Sequence, residues 1–289
     1  MTFVSKTNSN SIPKVLEFLA YSNIIVALAS GSFVGIWQIQ YQLPLSQYGY
    51  LLFFLSVSAY GYMHLAESKK PSMGHPVRIF TKKNKGFVLG LSLLSALVAL
   101  YFIWLEGIQT SLALLPALLI SLAYPNNPWF KGIRSKPGWK LLFIAFTWAY
   151  TSTFVPLWLY GELPTQILMT SFFQVFFWVF ALAIAFDVRD IAFDGGELQT
   201  LPQQEGVAVA LRWAWIAIAA VEVSLFIQFM QDQLNWQVLL ARWIPLELSS
   251  LFLWRIKKKA DPLFISFWIE ALPIIAFALL FFSSKFFVN

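Results

Sequence analysis

Cysteine is absent from the 289 residues of this chain, and histidine occurs only twice, as His64 and His75. The absence of cysteine excludes disulfide bonds, thiolate zinc sites, iron–sulfur clusters and cysteine nucleophiles. Two imidazoles are too few for a histidine-rich metal centre. Charged residues make up only 12% of the chain, about half of their usual share in a soluble globular domain. The composition therefore excludes an ordinary water-soluble protein.

Short catalytic signatures are missing as well. The sequence contains no P-loop, no Gly-x-Gly-x-x-Gly fingerprint, no His-Glu-x-x-His motif and no Gly-x-Ser-x-Gly motif. These are the common signatures of nucleotide binding, zinc-dependent proteolysis and serine hydrolysis. The chemistry of this chain must therefore be sought in a pattern of another kind.

Long apolar runs are what the sequence has in abundance. Hydrophobic residues make up 58% of the chain, and a helix needs about 20 mostly apolar residues to cross a bilayer. The runs predict an all-α membrane protein, a bundle of nine transmembrane helices in one domain over residues 1–289. The predicted spans are residues 16–38, 47–65, 87–105, 108–125, 140–160, 165–186, 207–230, 236–254 and 262–282. Residues 1–13 are polar and are expected to form a mobile tail.

Basic residues are concentrated on one predicted side of the membrane. All Lys and Arg residues except Arg242 and Lys285 lie in the amino terminus or in and beside the loops that follow even-numbered spans. Glu106, Glu162 and Asp232 mark the opposite turns. Because basic loops stay in the cytoplasm, we expect a cytoplasmic amino terminus and an outer carboxyl terminus. This bias accounts for the net charge of +6, so the charge does not indicate nucleic-acid binding.

Three carboxylates follow directly after the sixth predicted span. Asp187, Asp190 and Asp194 fall within about 60° of one another on a helix, whereas Arg189 is expected to point away from their face. Like charges this close destabilise a helix unless a cation lies among them. A hard divalent ion such as Mg²⁺ is a natural candidate, since it binds carboxylates, water and substrate phosphates. The alternative is a solvated helix end whose acids face water or neighbouring basic loops.

The same segment resembles a known family. Asp187-x-x-Asp190-x-x-x-Asp194, followed by Thr200-Leu201-Pro202, is similar to the second aspartate-rich motif of the UbiA superfamily of intramembrane prenyltransferases. The resemblance extends to the segment after the fourth span and covers nearly the whole chain. Its further matching residues are Tyr124, Pro125, Lys131, Arg134 and Pro137.

The resemblance implies a function and a set of site residues. A family member binds a polyprenyl diphosphate through Mg²⁺, ionises it, and passes the prenyl group to a lipid-soluble acceptor. Asp187, Asp190 and Asp194 would then be the metal-binding, catalytic residues on the cytoplasmic side. Tyr124, Lys131 and Arg134 would contact the diphosphate from the neighbouring loop.

The family's first aspartate-rich motif is not preserved. At the end of the second span, where Asn-Asp-x-x-Asp-x-x-x-Asp is expected, residues 60–70 contain no aspartate and one carboxylate, Glu67. Lys69, Lys70 and Arg78 add positive charge that can bind diphosphate oxygens directly. We therefore expect at most one metal ion, and binding of the prenyl diphosphate with reduced or altered transferase activity.

Three acids inside predicted spans leave other functions open. Glu222, Glu247 and Glu270 are costly in hydrocarbon, and such residues often mark ion or proton pathways. They motivate a small-molecule or proton-coupled transporter as one alternative. A non-catalytic isoprenoid-binding membrane protein is the other.

Overall fold

The computed structural model describes residues 14–68, 74–125, 132, 138–193 and 199–286. Every regular element in these ranges is helical. The helices are α1 (Lys14–Tyr21), α2 (Ile24–Tyr41), α3 (Ser46–Glu67), α4 (Pro76–Lys83), α5 (Lys85–Glu106), α6 (Ile108–Ala123), α7 (Trp139–Ala149), α8 (Val155–Tyr160), α9 (Thr165–Asp190), α10 (Leu201–Gln204), α11 (Val207–Met230), α12 (Trp236–Lys258), α13 (Pro262–Phe264) and α14 (Glu270–Phe286). Two π-helical turns, Tyr150–Phe154 and Ile265–Ile269, join α7 to α8 and α13 to α14.

Six helical segments of the described chain are long and apolar enough to cross a membrane. These segments are Ile24–Tyr41, Lys85–Glu106, Trp139–Tyr160, Thr165–Asp190, Val207–Met230 and Pro262–Lys285. Helices α3 and α12 are equally long but more polar, and α6 is shorter. The structure thus supports an integral membrane protein, while nine crossings and the orientation of the termini stay predictions.

The long helices pack side by side in a closed ring. Helix α3 lies between α5 and α2, α14 lies between α2 and α12, and α11 lies between α12 and α9. The ring closes through α7 and α8, since α7 packs on α9 and α6 contacts both α8 and α5. Large side chains inside it, including Trp37, Tyr48 and Leu157, are fully buried. The interior of the ring is therefore the place where a cavity can be screened from lipid.

One end of the ring is covered by short helices. Helix α1 contacts α2, α4 and the π-helical turn Ile265–Ile269, and α4 contacts α3 and α5. The first predicted span was expected to be one helix, but the chain breaks between α1 and α2 at Asn23, whose φ is 69°. Asparagine tolerates this left-handed conformation better than most residues. The break lets α1 turn across the ring instead of continuing along α2.

Helix α9 is longer than the bilayer requires. Its 26 residues span about 39 Å, against about 30 Å of hydrocarbon. The sixth predicted span ends at residue 186, and the helix continues through Asp187 to Asp190, in keeping with the helical spacing from which these two aspartates were placed on one face. The extra turn places Asp187 and Asp190 at the end that α1 and α4 cover.

Candidate functional site

Asp187 and Asp190 lie at the end of α9 and are almost completely buried, with exposures of 1% and 4%. The Asp187 carboxylate accepts a hydrogen bond from Lys140 Nζ. The Asp190 Oδ1 atom accepts one from Arg189 Nε at 2.7 Å and lies 3.2 Å from His75 Nε2. We call these five residues the Asp187 cluster. It compensates both buried carboxylates with cationic or polar side chains from three separate segments.

Arg189 behaves differently from the sequence-based expectation that it points away from the carboxylates. Its Nε donates to Asp190, its Nη1 donates to Ser266 Oγ at 2.7 Å, and its guanidinium lies 4.9 Å from the centre of the Phe186 ring. The side chain is long enough to fold back along the last turn of α9. It therefore ties the end of α9 to the π-helical turn Ile265–Ile269.

The Asp187 cluster borders two neighbouring cavities that share lining residues. The larger has a volume of about 160 Å³, and the smaller, beside α4, has about 60 Å³. Polar residues lining the larger cavity are Asn23, Tyr60, His64, Lys140, Asp187, Arg189, Asp190, Ser266 and Glu270. Those lining the smaller one are His64, Glu67, His75, Arg78, Thr81, Arg189 and Asp190. Because His64, Arg189 and Asp190 line both, the two form one polar region.

An apolar cavity of about 330 Å³ lies next to this polar region, between α3, α5, α6 and α7. Its walls are mostly Leu, Ile, Met, Phe and Ala side chains, with a few hydroxyl groups. Tyr60, Ile144 and Trp148 line both this cavity and the larger polar one. Trp148 Nε1 donates a hydrogen bond to the Tyr60 hydroxyl at 3.0 Å. The protein therefore contains a polar chamber and an apolar chamber that meet at this pair of rings.

The structure places four of the predicted site residues. Asp187 and Asp190 line the polar region, Arg78 lines its smaller cavity at 8% exposure, and Tyr124 lines the apolar cavity. The remaining predicted residues, Lys69, Lys70, Lys131, Arg134 and Asp194, lie outside the described residues. Their roles stay predictions.

Sequence reasoning missed the partners of the two aspartates. The sequence explains Lys140 only as one of the basic residues that set the orientation in the membrane. In the structure Lys140 is 8% exposed and is the first buried residue of α7. His75 comes directly before Pro76, the first residue of α4. A basic residue at the start of a span and a His–Pro pair at the start of a short helix were signals that these residues lie at the membrane edge. Neither signal predicts which aspartate Lys140 or His75 contacts.

The described part of the site offers few donors for Mg²⁺. No group of three or more His, Asp or Glu side chains among the described residues is arranged to hold a metal ion. Asp187 and Asp190 already accept hydrogen bonds from Lys140 and Arg189, whereas Mg²⁺ requires oxygen ligands in octahedral geometry. The described donors alone therefore do not fit this metal. The predicted Mg²⁺ site depends on Asp194, outside the described residues.

The three intramembrane glutamates are not on one path. Glu247 is exposed on the outer surface of the ring, where it accepts a hydrogen bond from Trp243 Nε1 at 3.0 Å, and Glu222 is half-buried on the neighbouring helix α11. Glu270 instead lines the larger polar cavity. A proton-coupled transporter needs acids along a common route. The geometry of these residues does not favour that alternative.

Comparison with known proteins gives a fold. No protein-family model matches the sequence, and no curated protein matches it. Among solved structures, a UbiA homologue from Aeropyrum pernix K1 is similar at a TM-score of 0.65 and 15% identity, over 90% of this chain and 97% of that chain. A UbiA homologue from Archaeoglobus fulgidus bound to GPP and Mg²⁺ matches at 0.60 and 15%, over 94% and 98%.

The chain has the UbiA fold.

A structure of digeranylgeranylglyceryl phosphate synthase is also similar to this chain, with a TM-score of 0.55 and 13% identity over 94% of this chain and 98% of that chain. These matches span nearly the full length of each protein, so the likeness covers the whole helical ring. At such low identity the comparisons establish the architecture. The chemistry has to be argued from the residues of this chain.

Proposed function

We propose that this chain binds a polyprenyl diphosphate within the membrane and transfers its prenyl group to a lipid-soluble acceptor. The observation that carries the proposal is the meeting of the polar and apolar cavities at Tyr60 and Trp148. A prenyl diphosphate has a matching shape, with a dianionic or trianionic head on an apolar tail. The domain covers residues 1–289, and the Asp187 cluster faces the cytoplasm.

The polar region has the charges that such a head requires. Lys140, Arg189 and Arg78 line it, and cations placed where charge develops stabilise a leaving diphosphate. In the transfer, the bond between prenyl C1 and the bridging oxygen breaks and its electron pair leaves with the diphosphate. The acceptor's nucleophile forms the new bond to C1 and loses a proton.

The region where the two cavities meet suits the cationic prenyl fragment. Phe33 and Trp148, an edge-to-face pair with ring centres 6.1 Å apart, line the larger polar cavity together with Phe186. Aromatic faces attract a cation within about 6 Å. Buried rings also exclude water, which would otherwise capture the prenyl cation in place of the acceptor.

The UbiA fold supports this proposal, because solved structures that share it include a homologue bound to GPP and Mg²⁺ and a digeranylgeranylglyceryl phosphate synthase. Mg²⁺ is the cofactor that the resemblance predicts, and its binding here would require Asp194, because the described donors alone do not fit it. The acceptor is a hydrophobic molecule that reaches the site from the bilayer.

The test compares three ligands on the purified full-length protein in detergent: geranyl diphosphate, geraniol and inorganic diphosphate. We expect geranyl diphosphate to bind at least about tenfold more tightly than either fragment, because it fills both chambers. Ala117 lines the apolar cavity, so Ala117→Phe should weaken geranyl diphosphate binding. Ala220→Phe, on an exposed face of α11, is the matched control.

Two results would contradict the proposal. Equal binding of inorganic diphosphate and geranyl diphosphate would remove the role of the apolar chamber. Tight binding without diphosphate release, across a panel of phenolic and alcoholic acceptors, would overturn the transfer step and identify a non-catalytic isoprenoid-binding protein. Should Ala117→Phe fail to fold, Ala59→Leu fills the same cavity with a smaller change in volume.

A further inference from the structure

We infer that protein side chains hold the diphosphate directly, without a bound metal, in the small polar cavity between α3, α4 and the end of α9. This inference rests on the proposed function, since it says how the head of the prenyl diphosphate is recognised. The cavity lies where an aspartate-rich motif is missing from α3. His64 and Glu67 stand there instead, and Arg78 and Thr81 face them from α4.

Helix α4 contributes a buried polar face to this cavity. Arg78 is 8% exposed and Thr81 is 0% exposed, although both belong to a short helix whose other basic residues, Lys82 and Lys83, are exposed. Burying the Thr81 hydroxyl beside a cavity is costly unless a ligand or another group uses it. The burial therefore separates Arg78 and Thr81 from the basic residues that only satisfy the orientation rule.

Two polar atoms in the wall of the cavity have no hydrogen-bond partner among the residues that the structure describes. They are Thr81 Oγ1 and His75 Nδ1, both fully buried from solvent. An unsatisfied buried polar atom costs about 1–3 kcal/mol. A phosphate oxygen in the cavity would accept the hydroxyl proton of Thr81. The cavity wall thus offers donors to an anion, beside the carboxylates of Glu67 and Asp190.

Guanidinium groups supply the charge. Arg78 and Arg189 both line the small cavity, and the planar fork of a guanidinium matches two phosphate oxygens better than an ammonium does. Arg189 uses Nε for Asp190 and Nη1 for Ser266, so its orientation is fixed before a ligand arrives. The small cavity shares His64, Arg189 and Asp190 with the larger one, which Lys140 also lines. A diphosphate can therefore reach from Arg78 toward Lys140, with its tail directed toward the hydrogen-bonded pair of Tyr60 and Trp148 that borders the apolar cavity.

Two of the four described carboxylates that line this region are already compensated. Lys140 donates to Asp187, and Arg189 donates to Asp190. Two carboxylates that hold protein cations attract Mg²⁺ less strongly than two that face one another across a cavity. The pairing of Asp187 with Lys140 and of Asp190 with Arg189 therefore favours recognition of the diphosphate by side chains rather than through a metal ion.

The experiment measures geranyl diphosphate binding to the full-length protein in detergent, once with EDTA and once with excess Mg²⁺. We expect the dissociation constants to agree within about twofold. Arg78→Gln should weaken binding by at least about tenfold, because the bidentate contact is lost. Lys83→Gln removes the same charge from the exposed face of α4 and should leave the affinity unchanged.

Thr81→Val separates recognition from folding. Valine has nearly the shape of threonine and removes a hydroxyl that has no partner, so the thermal stability should be unchanged or higher. We expect binding to weaken by about threefold to tenfold, since the hydroxyl contact to phosphate is lost. A residue with a purely structural role would not combine weaker binding with undiminished stability.

The possible failures are distinguishable. Binding that appears only with Mg²⁺ would overturn direct recognition and leave the proposed function standing. Absence of binding under both conditions would overturn the proposed function itself. If Arg78→Gln and Thr81→Val bind geranyl diphosphate as tightly as the wild type and the Lys83→Gln control, the diphosphate does not occupy this cavity.

Discussion

Buried charge occurs in two places along α9, and the two are built differently. At the carboxyl end, the Asp187 cluster pairs carboxylates with cations beside the polar cavities. Near the other end, about 20 Å away along the helix, Arg242 of α12 is buried at 6% exposure. Its Nη2 donates to Gln174 Oε1 at 2.7 Å, its Nη1 donates to Gln40 Oε1 at 3.2 Å, and it lies over the Trp37 ring at 4.8 Å.

Amide groups take the place of carboxylates around Arg242. Gln174 Nε2 donates onward to Gln228 Oε1 and Ser224 Oγ, both at 2.8 Å. This Arg242 network, formed by Arg242, Gln40, Gln174, Gln228 and Ser224, links α2, α9, α11 and α12. A hydrogen-bonded network in a low-dielectric interior holds its members rigidly. From this comparison we expect the charge pairs beside the cavities to act on a ligand, whereas the amides around Arg242 join helices.

The largest expected effect tests the charge pairing. Lys140→Met removes the cation bound to a fully buried Asp187, and breaking a buried pair from one side costs about 3 kcal/mol of the free energy of unfolding. The double variant Lys140→Met/Asp187→Leu should recover most of that loss, because neither charge remains. Unfolding by denaturant in detergent measures both, with Lys85→Met on an exposed site as the control. If the single and double variants lose equal stability, the carboxylate is not the reason for burying Lys140.

Arg242→Met should have a smaller effect on stability and none on the ligand. The amides that surround Arg242 can rebond to one another, so we expect a loss of about 1–2 kcal/mol. The affinity for geranyl diphosphate should stay within about twofold of wild type, because Arg242 lies at the other end of α9. A tenfold loss of affinity in this variant would break the distinction between the two regions.

The smallest effect is expected for the glutamates on the outer surface. Glu222→Gln and Glu247→Gln remove acids that face away from the cavities, and an acid exposed to lipid is unfavourable. We expect unchanged ligand affinity and a gain of less than about 1 kcal/mol in stability. Thermal unfolding in bicelles measures the gain. Proton-linked flux in liposomes that disappears in these variants would instead restore the transporter hypothesis.

Much of the fold could be predicted from apolar runs, because the bilayer makes hydrophobic length a strong signal. The seventh span was placed at residues 207–230, and α11 is Val207–Met230, since Gly206 and Gln231 bound an unbroken apolar run. The first predicted span is wrong at Asn23, because packing of the folded chain sets its left-handed backbone and hydropathy does not detect this. The sixth apolar run ends at residue 186. Asp187 and Asp190 continue the same helix because neighbouring helices bury that end.

The site was predictable only in part. Asp187 and Asp190 stood out because carboxylates directly after an apolar run are unusual. Lys140 and His75 lie 47 and 115 residues from the aspartates that they contact. Sequence periodicity reports neighbours three or four residues apart on a helix, so it cannot choose among several basic residues in distant loops. The pairing, which decides how the carboxylates behave, required the packed helices.

The π-helical turn Tyr150–Phe154 makes the site sensitive to chain length rather than to side-chain identity. Such a turn accommodates one residue more than an α-helical turn. Deleting one residue from it would restore a regular helix and leave α7 and α8 close to their present orientation, because the wide turn already absorbs the extra residue. Inserting a second residue into this turn would instead rotate Lys140 and Trp148, both before the turn, by about 100° away from Asp187 and Tyr60. A single-residue insertion here would therefore disturb the polar and the apolar cavity at once, while each substitution disturbs only one of them.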